Sequence, residues 1–117
     1  MALVVTSCGG GTEEIAAPSD LSLSGQVGWE VAASKGCMSC HGRDGVGGTG
    51  PGWVDLAGST RQLADGTQVV AGRDYLVRSI VDPQAEQVNG YNIRMPAVEL
   101  TDEEVNSILD YIEEISS

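Results

Sequence analysis

Phenylalanine is absent from this sequence, and aromatic residues of all kinds make up only 4% of its 117 residues. The large side chains that usually fill the core of a small domain are therefore scarce, although the hydrophobic fraction of 41% is ordinary. A chain of this length fits one small domain and a tail. Such a composition leaves room for something other than side chains at the centre of the domain.

Positive charge is also scarce, because 6 Lys and Arg residues stand against 17 Asp and Glu residues and give a formal net charge of -11. A surface this acidic repels phosphate backbones, which argues against nucleic acid as a partner. It favours a protein partner with a basic docking patch. Acidity that serves only solubility is the alternative.

The apolar run at the N-terminus, residues 1–5, is far too short to cross a bilayer. The chain has 3 cysteines, an odd number that a disulfide framework does not explain. The run is similar to the end of a bacterial lipoprotein signal, in which Val5 to Cys8 would be the lipobox and Cys8 the acylated residue. Residues 1–8 would then be a residual signal that ends at a membrane anchor. A plain tail with a free thiol is the alternative, because no Lys or Arg precedes the run.

Residues 9–23 are rich in Gly, Ser, Ala and acidic residues and show no periodicity. Such a composition predicts a flexible tether. The globular domain is expected to occupy residues 24–117.

The single histidine, His41, directly follows two cysteines, Cys37 and Cys40, that are separated by two residues. Cys-x-x-Cys-His is the pattern by which haem is attached in c-type proteins. The spacing lets both thiols reach the two vinyl groups while the adjacent imidazole lies under the iron. The cluster therefore predicts one covalently bound haem c, with His41 as an axial ligand.

Zinc binding, redox chemistry and chance are the alternatives to haem for this cluster. A closed zinc site wants four ligands and would have to recruit Cys8 from the tail. A thioredoxin-like redox pair needs an alternating βαβ context, which the sequence does not show. A chance arrangement of the three residues would need no ligand at all.

The sixth position on the iron cannot be filled by a second histidine of this chain. Of the three methionines, Met38 lies between the attaching cysteines and Met1 belongs to the tail. Met95 is therefore the predicted ligand, and Pro96 stiffens the loop beside it. An ordinary core methionine is the alternative.

A ligating imidazole almost always donates its other N–H to a fixed acceptor. Pro51 offers a backbone carbonyl in the loop just after the motif. A simple turn at Gly50-Pro51 is the alternative for this pair.

Local patterns predict four further elements. The first is a helix from Ser24 to Lys35, which ends at Gly36 and turns Val27, Val31 and Ala32 inward. Asp65-Gly66 predicts the turn of a small hairpin. Residues 74–82 predict a short helix whose inward side chains are Leu76, Val77, Ile80 and Val81. Thr101 to Glu104 predicts a capping box for a last helix whose apolar stripe is Val105, Ile108, Leu109, Ile112 and Ile115.

The attachment site, the Gly50-Pro51 loop, the Met95-Pro96 pair and the flanking helices with Gly28 and Tyr111-Ile112 together resemble the class I cytochromes c, over residues 24–117. This resemblance implies an all-α fold with crossing N- and C-terminal helices, a short middle helix, a small β-hairpin and long haem-wrapping loops. It implies that Gly28 lies at the helix crossing and that the Pro51 carbonyl accepts from His41. It also implies export before haem attachment, hence a place outside the cytoplasmic membrane.

In the same family, residues at the positions of Trp53 and Tyr91 often hydrogen-bond a haem propionate, and both are expected to bind the cofactor here; crevice-wall positions are the alternative. Arg78 and Arg94 could offset propionate charge, although an exposed surface position is the alternative for each. Residues 58–96 are similar to the cytochrome c domain fused to subunit II of caa-type haem-copper oxidases. The copper-binding domain is missing here, which implies a free-standing or lipid-tethered protein.

The resemblance thus implies a monohaem electron-transfer protein and not an enzyme. Its expected place is a respiratory chain, between a quinol-oxidising complex and a terminal oxidase, in the periplasm or at the cell surface. Two alternatives stay open. One is a fixed haem subunit of another respiratory complex, and the other is a haem peroxidase or gas sensor with a displaceable Met95.

Overall fold

The computed structural model describes residues 16–116 of the chain. The helices are α1 (Leu23–Ser34), α2 (Met38–His41), α3 (Arg73–Val81) and α4 (Asp102–Ile115), with a 3-10 turn at Arg43–Gly45 and a hairpin of β1 (Thr60–Gln62) and β2 (Gln68–Val70). The rest is loop, much of it between residues 42 and 60. The predicted all-α class with one small hairpin is confirmed. The predictions for Met1 and Cys8 fall outside the described residues.

Helix α4 begins as the capping box predicts. Thr101 Oγ1 accepts from the Glu104 backbone N–H at 3.1 Å, and Glu104 Oε1 accepts from the Thr101 N–H at 2.9 Å. Four of the five predicted stripe residues are buried and Ile115 is half-buried. The buried side of the helix is wider than predicted, because Tyr111 also lies in the core, 1% exposed.

Helix α1 starts earlier than predicted. Ser22, not Ser24, is the N-cap, and its Oγ accepts from the Gly25 N–H at 3.1 Å. The cause is tertiary: Glu114 of α4 accepts from the Ser22 backbone N–H at 2.7 Å and from its hydroxyl at 2.6 Å. The inward position of Val27 is wrong, since this side chain is 48% exposed.

Buried Trp29 takes the place in the core that Val27 does not. Helices α1 and α4 meet at Gly28. A Cβ built there would overlap the Ser107 carbonyl oxygen and lie 2.7 Å from Tyr111 Cβ. Only a residue without a side chain allows the backbones this approach.

The hairpin is antiparallel, with Arg61 opposite Val69. Its turn lies at Asp65-Gly66 as predicted, because Gly66 has a φ of 90° and Asp65 Oδ1 accepts from the Thr67 N–H at 3.0 Å. The hairpin prediction is confirmed.

Helix α3 follows one residue earlier than predicted and buries Tyr75 and Leu76. The inward position of Val81 is wrong, since this side chain is 56% exposed at the last turn. Arg73 ties α3 to α4 through ion pairs with Glu113 at 2.7 Å and Asp110 at 3.2 Å. None of the helices found between residues 16 and 116 is long and apolar enough to cross a membrane.

Candidate functional site

One crevice gathers side chains from distant parts of the chain. Seven of its lining residues are those that the sequence singled out: Cys37, Cys40, His41, Pro51, Trp53, Tyr91 and Met95. Helices α3 and α4 supply apolar walls, among them Leu76, Ile80, Ile108 and Ile112. The crevice therefore lies against the core and joins the α2 segment to the loop that precedes α4.

The two cysteines reach the crevice because α2 begins directly after Cys37. The backbone N–H groups of Cys40 and His41 both donate to the Cys37 carbonyl, at 3.3 and 3.1 Å. This single tight turn brings both thiols to the same crevice. Both cysteines are free of disulfides, and burial raises the pKa of the Cys37 thiol, which keeps it protonated at neutral pH.

The His41 ring has one nitrogen engaged. Its Nδ1 lies 2.7 Å from the Pro51 carbonyl oxygen. A carbonyl can only accept, so Nδ1 donates and Nε2 keeps the lone pair of a neutral imidazole. Burial lowers the pKa of His41, which favours this neutral form. The ring is therefore prepared to bind a metal through Nε2.

The loop after the motif is held close to α2 by its backbone. The Gly47 N–H donates to the His41 carbonyl at 2.7 Å, and the Gly50 N–H donates to the Cys40 carbonyl at 2.8 Å. A Cβ at Gly50 would lie 3.1 Å from His41 Cε1 and Nδ1. Glycine at this position lets the chain pass beside the imidazole and deliver the Pro51 carbonyl.

Trp53 packs against the same imidazole. The ring centroids of His41 and Trp53 lie 4.8 Å apart with planes 27° from parallel. Tyr111 meets the other side of the indole edge-on, at 6.1 Å and 82°. The structure thus places Trp53 beside the imidazole, a contact that the sequence did not indicate. Its hydrogen bond to a propionate stays a prediction.

Met95 and Tyr91 lie in the loop between α3 and α4. The Met95 carbonyl accepts from Gln84 Nε2 at 3.1 Å, and the Tyr91 carbonyl accepts from Gln87 Nε2 at 2.6 Å. The backbone of the loop is thereby fixed, while both residues line the crevice. Met95 is half-buried, as a side chain at a crevice wall should be.

Arg61 is a crevice residue that sequence reasoning missed. It is the half-buried middle residue of β1, between exposed neighbours. Its Nε donates to Ser59 Oγ at 2.9 Å, and its Nη2 donates to the Asp55 carbonyl at 3.3 Å. The alternation of the hairpin strand was the available signal. Arg94 also lines the crevice, whereas Arg78 lies outside it and pairs with Glu86 at 3.0 Å.

The donor set fits covalently bound haem. Two free thiols, an imidazole with an available Nε2 and a thioether side chain meet at one largely apolar crevice. Within residues 16–116 no three His, Cys, Asp or Glu side chains converge as a metal site, so zinc would need Cys8 from the tail. The strands described there form one antiparallel pair, which is not the βαβ context of a thioredoxin-like fold.

Comparison with known proteins agrees with the site and the fold. A family model described as Cytochrome c matches residues 26–116, which includes every crevice residue named above. No curated protein matches the chain. Domains of this family carry covalently bound haem c, usually lie outside the cytoplasm and transfer electrons to redox partners. The predictions of a class I fold and of haem c are confirmed, and this chain belongs to the cytochrome c family.

Proposed function

We propose that this protein is a monohaem carrier of single electrons in a respiratory chain, delivering them to or within a terminal oxidase. The observation that carries the proposal is the crevice that unites both thiols, the carbonyl-bound imidazole and the Met95 thioether. Each of these groups has a separate task, and the residues supply what a reversible carrier needs.

Cys37 and Cys40 bind the cofactor covalently. Each S–H adds across one vinyl group, so that one S–C bond and one C–H bond form and nothing leaves. The shared turn at the start of α2 sets the two sulfurs at the spacing that this double attachment requires. The covalent bonds keep the cofactor in place while partners exchange.

His41 and Met95 are the proposed axial ligands. His41 binds through Nε2, because Nδ1 is held by the Pro51 carbonyl. Met95 lies in a loop whose backbone is tied down by Gln84. When bound, the haem iron supplies the one-electron couple between Fe(III) and Fe(II). A thioether ligand favours Fe(II), so a positive midpoint potential is expected.

Polar side chains at the crevice offset the charge of the propionates. We assign this task to Trp53 and Tyr91, as the family resemblance implies, and add Arg61 and Arg94 from their position in the crevice. Arg61 is the stronger candidate of the two arginines, because it is half-buried and held by Ser59.

The surroundings of the protein follow from its charge and its first residues. With a net charge of -11, it docks on a basic patch of an oxidase or a quinol-oxidising complex. Residues 24–117 form the cytochrome domain, residues 9–23 a tether and residues 1–8 a residual signal. Acylation of Cys8 would hold the domain on the outer side of the cytoplasmic membrane. The likeness of residues 58–96 to caa-type oxidase domains supports an oxidase as the acceptor.

A pair of methionine variants tests the ligand assignment. In the haem-loaded protein, Met95→Ala removes the proposed thioether ligand and should lower the midpoint potential. Met38→Ala, a matched change between the two attaching cysteines, should leave the potential near that of the unaltered protein. Equal potentials for both variants and the unaltered protein would overturn the assignment of Met95. Cys37→Ala and Cys40→Ala should each leave a single thioether, which the pyridine haemochrome spectrum reports.

A further inference from the structure

We propose that Trp53 is a positioning residue that fixes the plane of the His41 imidazole. The inference rests on the proposed function, in that His41 is taken as an axial ligand. It adds a second support to the ligand, independent of the Pro51 carbonyl, and assigns it to a face-to-face contact between two rings.

The hydrogen bond at Nδ1 fixes one atom of the ring and leaves its tilt free. The indole lies along one face of the imidazole, with the ring centroids 4.8 Å apart and the planes 27° from parallel. This separation is that of an offset stack, in which both rings gain contact over their faces. A tilt of His41 toward Trp53 would bring the rings into overlap, and a tilt away would lose the stack.

Trp53 can serve as a support because it is itself immobilised. It is 4% exposed, and its backbone N–H donates to the Gly45 carbonyl at 2.7 Å. Tyr111 of α4 closes the far side of the indole with an edge contact at 6.1 Å. The imidazole therefore rests on a ring that is in turn held by the junction of α1 and α4.

The turn that holds Trp53 is anchored to α1. Asp44 has a φ of 57°, in the left-handed region that non-glycine residues seldom occupy. Its carboxylate accepts from the indole N–H of Trp29 at 2.8 Å. This bond secures the turn in which Gly45 offers its carbonyl to Trp53. The plane of the ligand is thus linked to the buried face of α1 through four residues.

The test uses the haem-loaded protein and three variants. Trp53→Leu removes the stack, Trp53→Phe keeps a smaller aromatic face, and Leu109→Ala opens the core at a fully buried residue that does not line the crevice. The readouts are the electron paramagnetic resonance g-values and the hyperfine-shifted methyl resonances of the ferric protein, both of which depend on the orientation of the axial imidazole.

Trp53→Leu should shift the g-values and methyl resonances, and Trp53→Phe should restore them in part. Leu109→Ala should lower stability while leaving both spectra as in the unaltered protein. A Trp53→Leu variant that is destabilised like Leu109→Ala but has unchanged spectra would overturn the positioning role. An unaltered protein without a low-spin, six-coordinate spectrum would instead refute the ligand assignment itself, so the two failures are distinguishable.

Discussion

Replacing Gly28 with alanine tests the closest approach in the fold. The added Cβ would overlap the Ser107 carbonyl and lie 2.7 Å from both Ser107 C and Tyr111 Cβ. These are backbone and near-backbone atoms, so neither can rotate aside and the two helices must separate. Overpacking of this kind costs about 3 kcal/mol at the upper end of its usual range. The better helix propensity of alanine returns about 1 kcal/mol.

The expected net loss is about 2 kcal/mol of unfolding free energy, or a fall of roughly 8 to 16 °C in Tm for a domain of this size. Denaturant unfolding of the haem-loaded protein, followed by far-ultraviolet circular dichroism, measures it. Gly25→Ala is the matched control on the same helix. There the neighbour at 2.9 Å is the carboxyl carbon of Glu114, at the end of a flexible side chain, so the loss should be much smaller. A Gly28→Ala protein as stable as the unaltered one would refute this reasoning.

Three more predictions follow from named contacts. Trp29→Phe removes the 2.8 Å bond to the Asp44 carboxylate and should cost at least about 1.5 kcal/mol, measured by denaturant unfolding; no loss would show that the bond is not needed. Hydrogen bonds from Ser22 lower the pKa of Glu114, so its stabilisation is present above the ordinary value of 4.5 and is lost as pH falls through the lower, folded value. Glu114→Gln should therefore flatten the decline of Tm in acid, and an unchanged profile would contradict this linkage. Association with a basic partner should slow as salt rises, and a rate independent of salt would contradict electrostatic docking.

Elements fixed by neighbouring residues could be predicted from the sequence. The capping box of Thr101 and Glu104 involves residues three positions apart, and both of its bonds are present. The hairpin turn at Asp65-Gly66 is equally local, since Gly66 takes the positive φ that the turn needs. In both cases the interaction that decides the structure lies within a few residues of sequence.

Features decided by distant residues could not be predicted. Ser22 and Ser24 were equivalent candidates for the N-cap of α1, and Glu114, 92 positions away, selects the first. The helical pattern placed Val27 inward, whereas the crossing with α4 is arranged around Gly28 and Trp29. The stack of Trp53 on His41 depends on the path of a glycine-rich loop, which no periodicity describes. The sequence pointed to the residues that line the crevice and left the contacts among them open.

The absorption spectrum of the haem-loaded protein, recorded oxidised, reduced and reduced under carbon monoxide, tests the central claim most directly. If His41 and Met95 close both axial positions, the reduced protein gives a sharp c-type spectrum that carbon monoxide leaves unchanged. A reduced spectrum that shifts under carbon monoxide would mean an open or weakly held sixth position, and would contradict the account of a simple electron carrier.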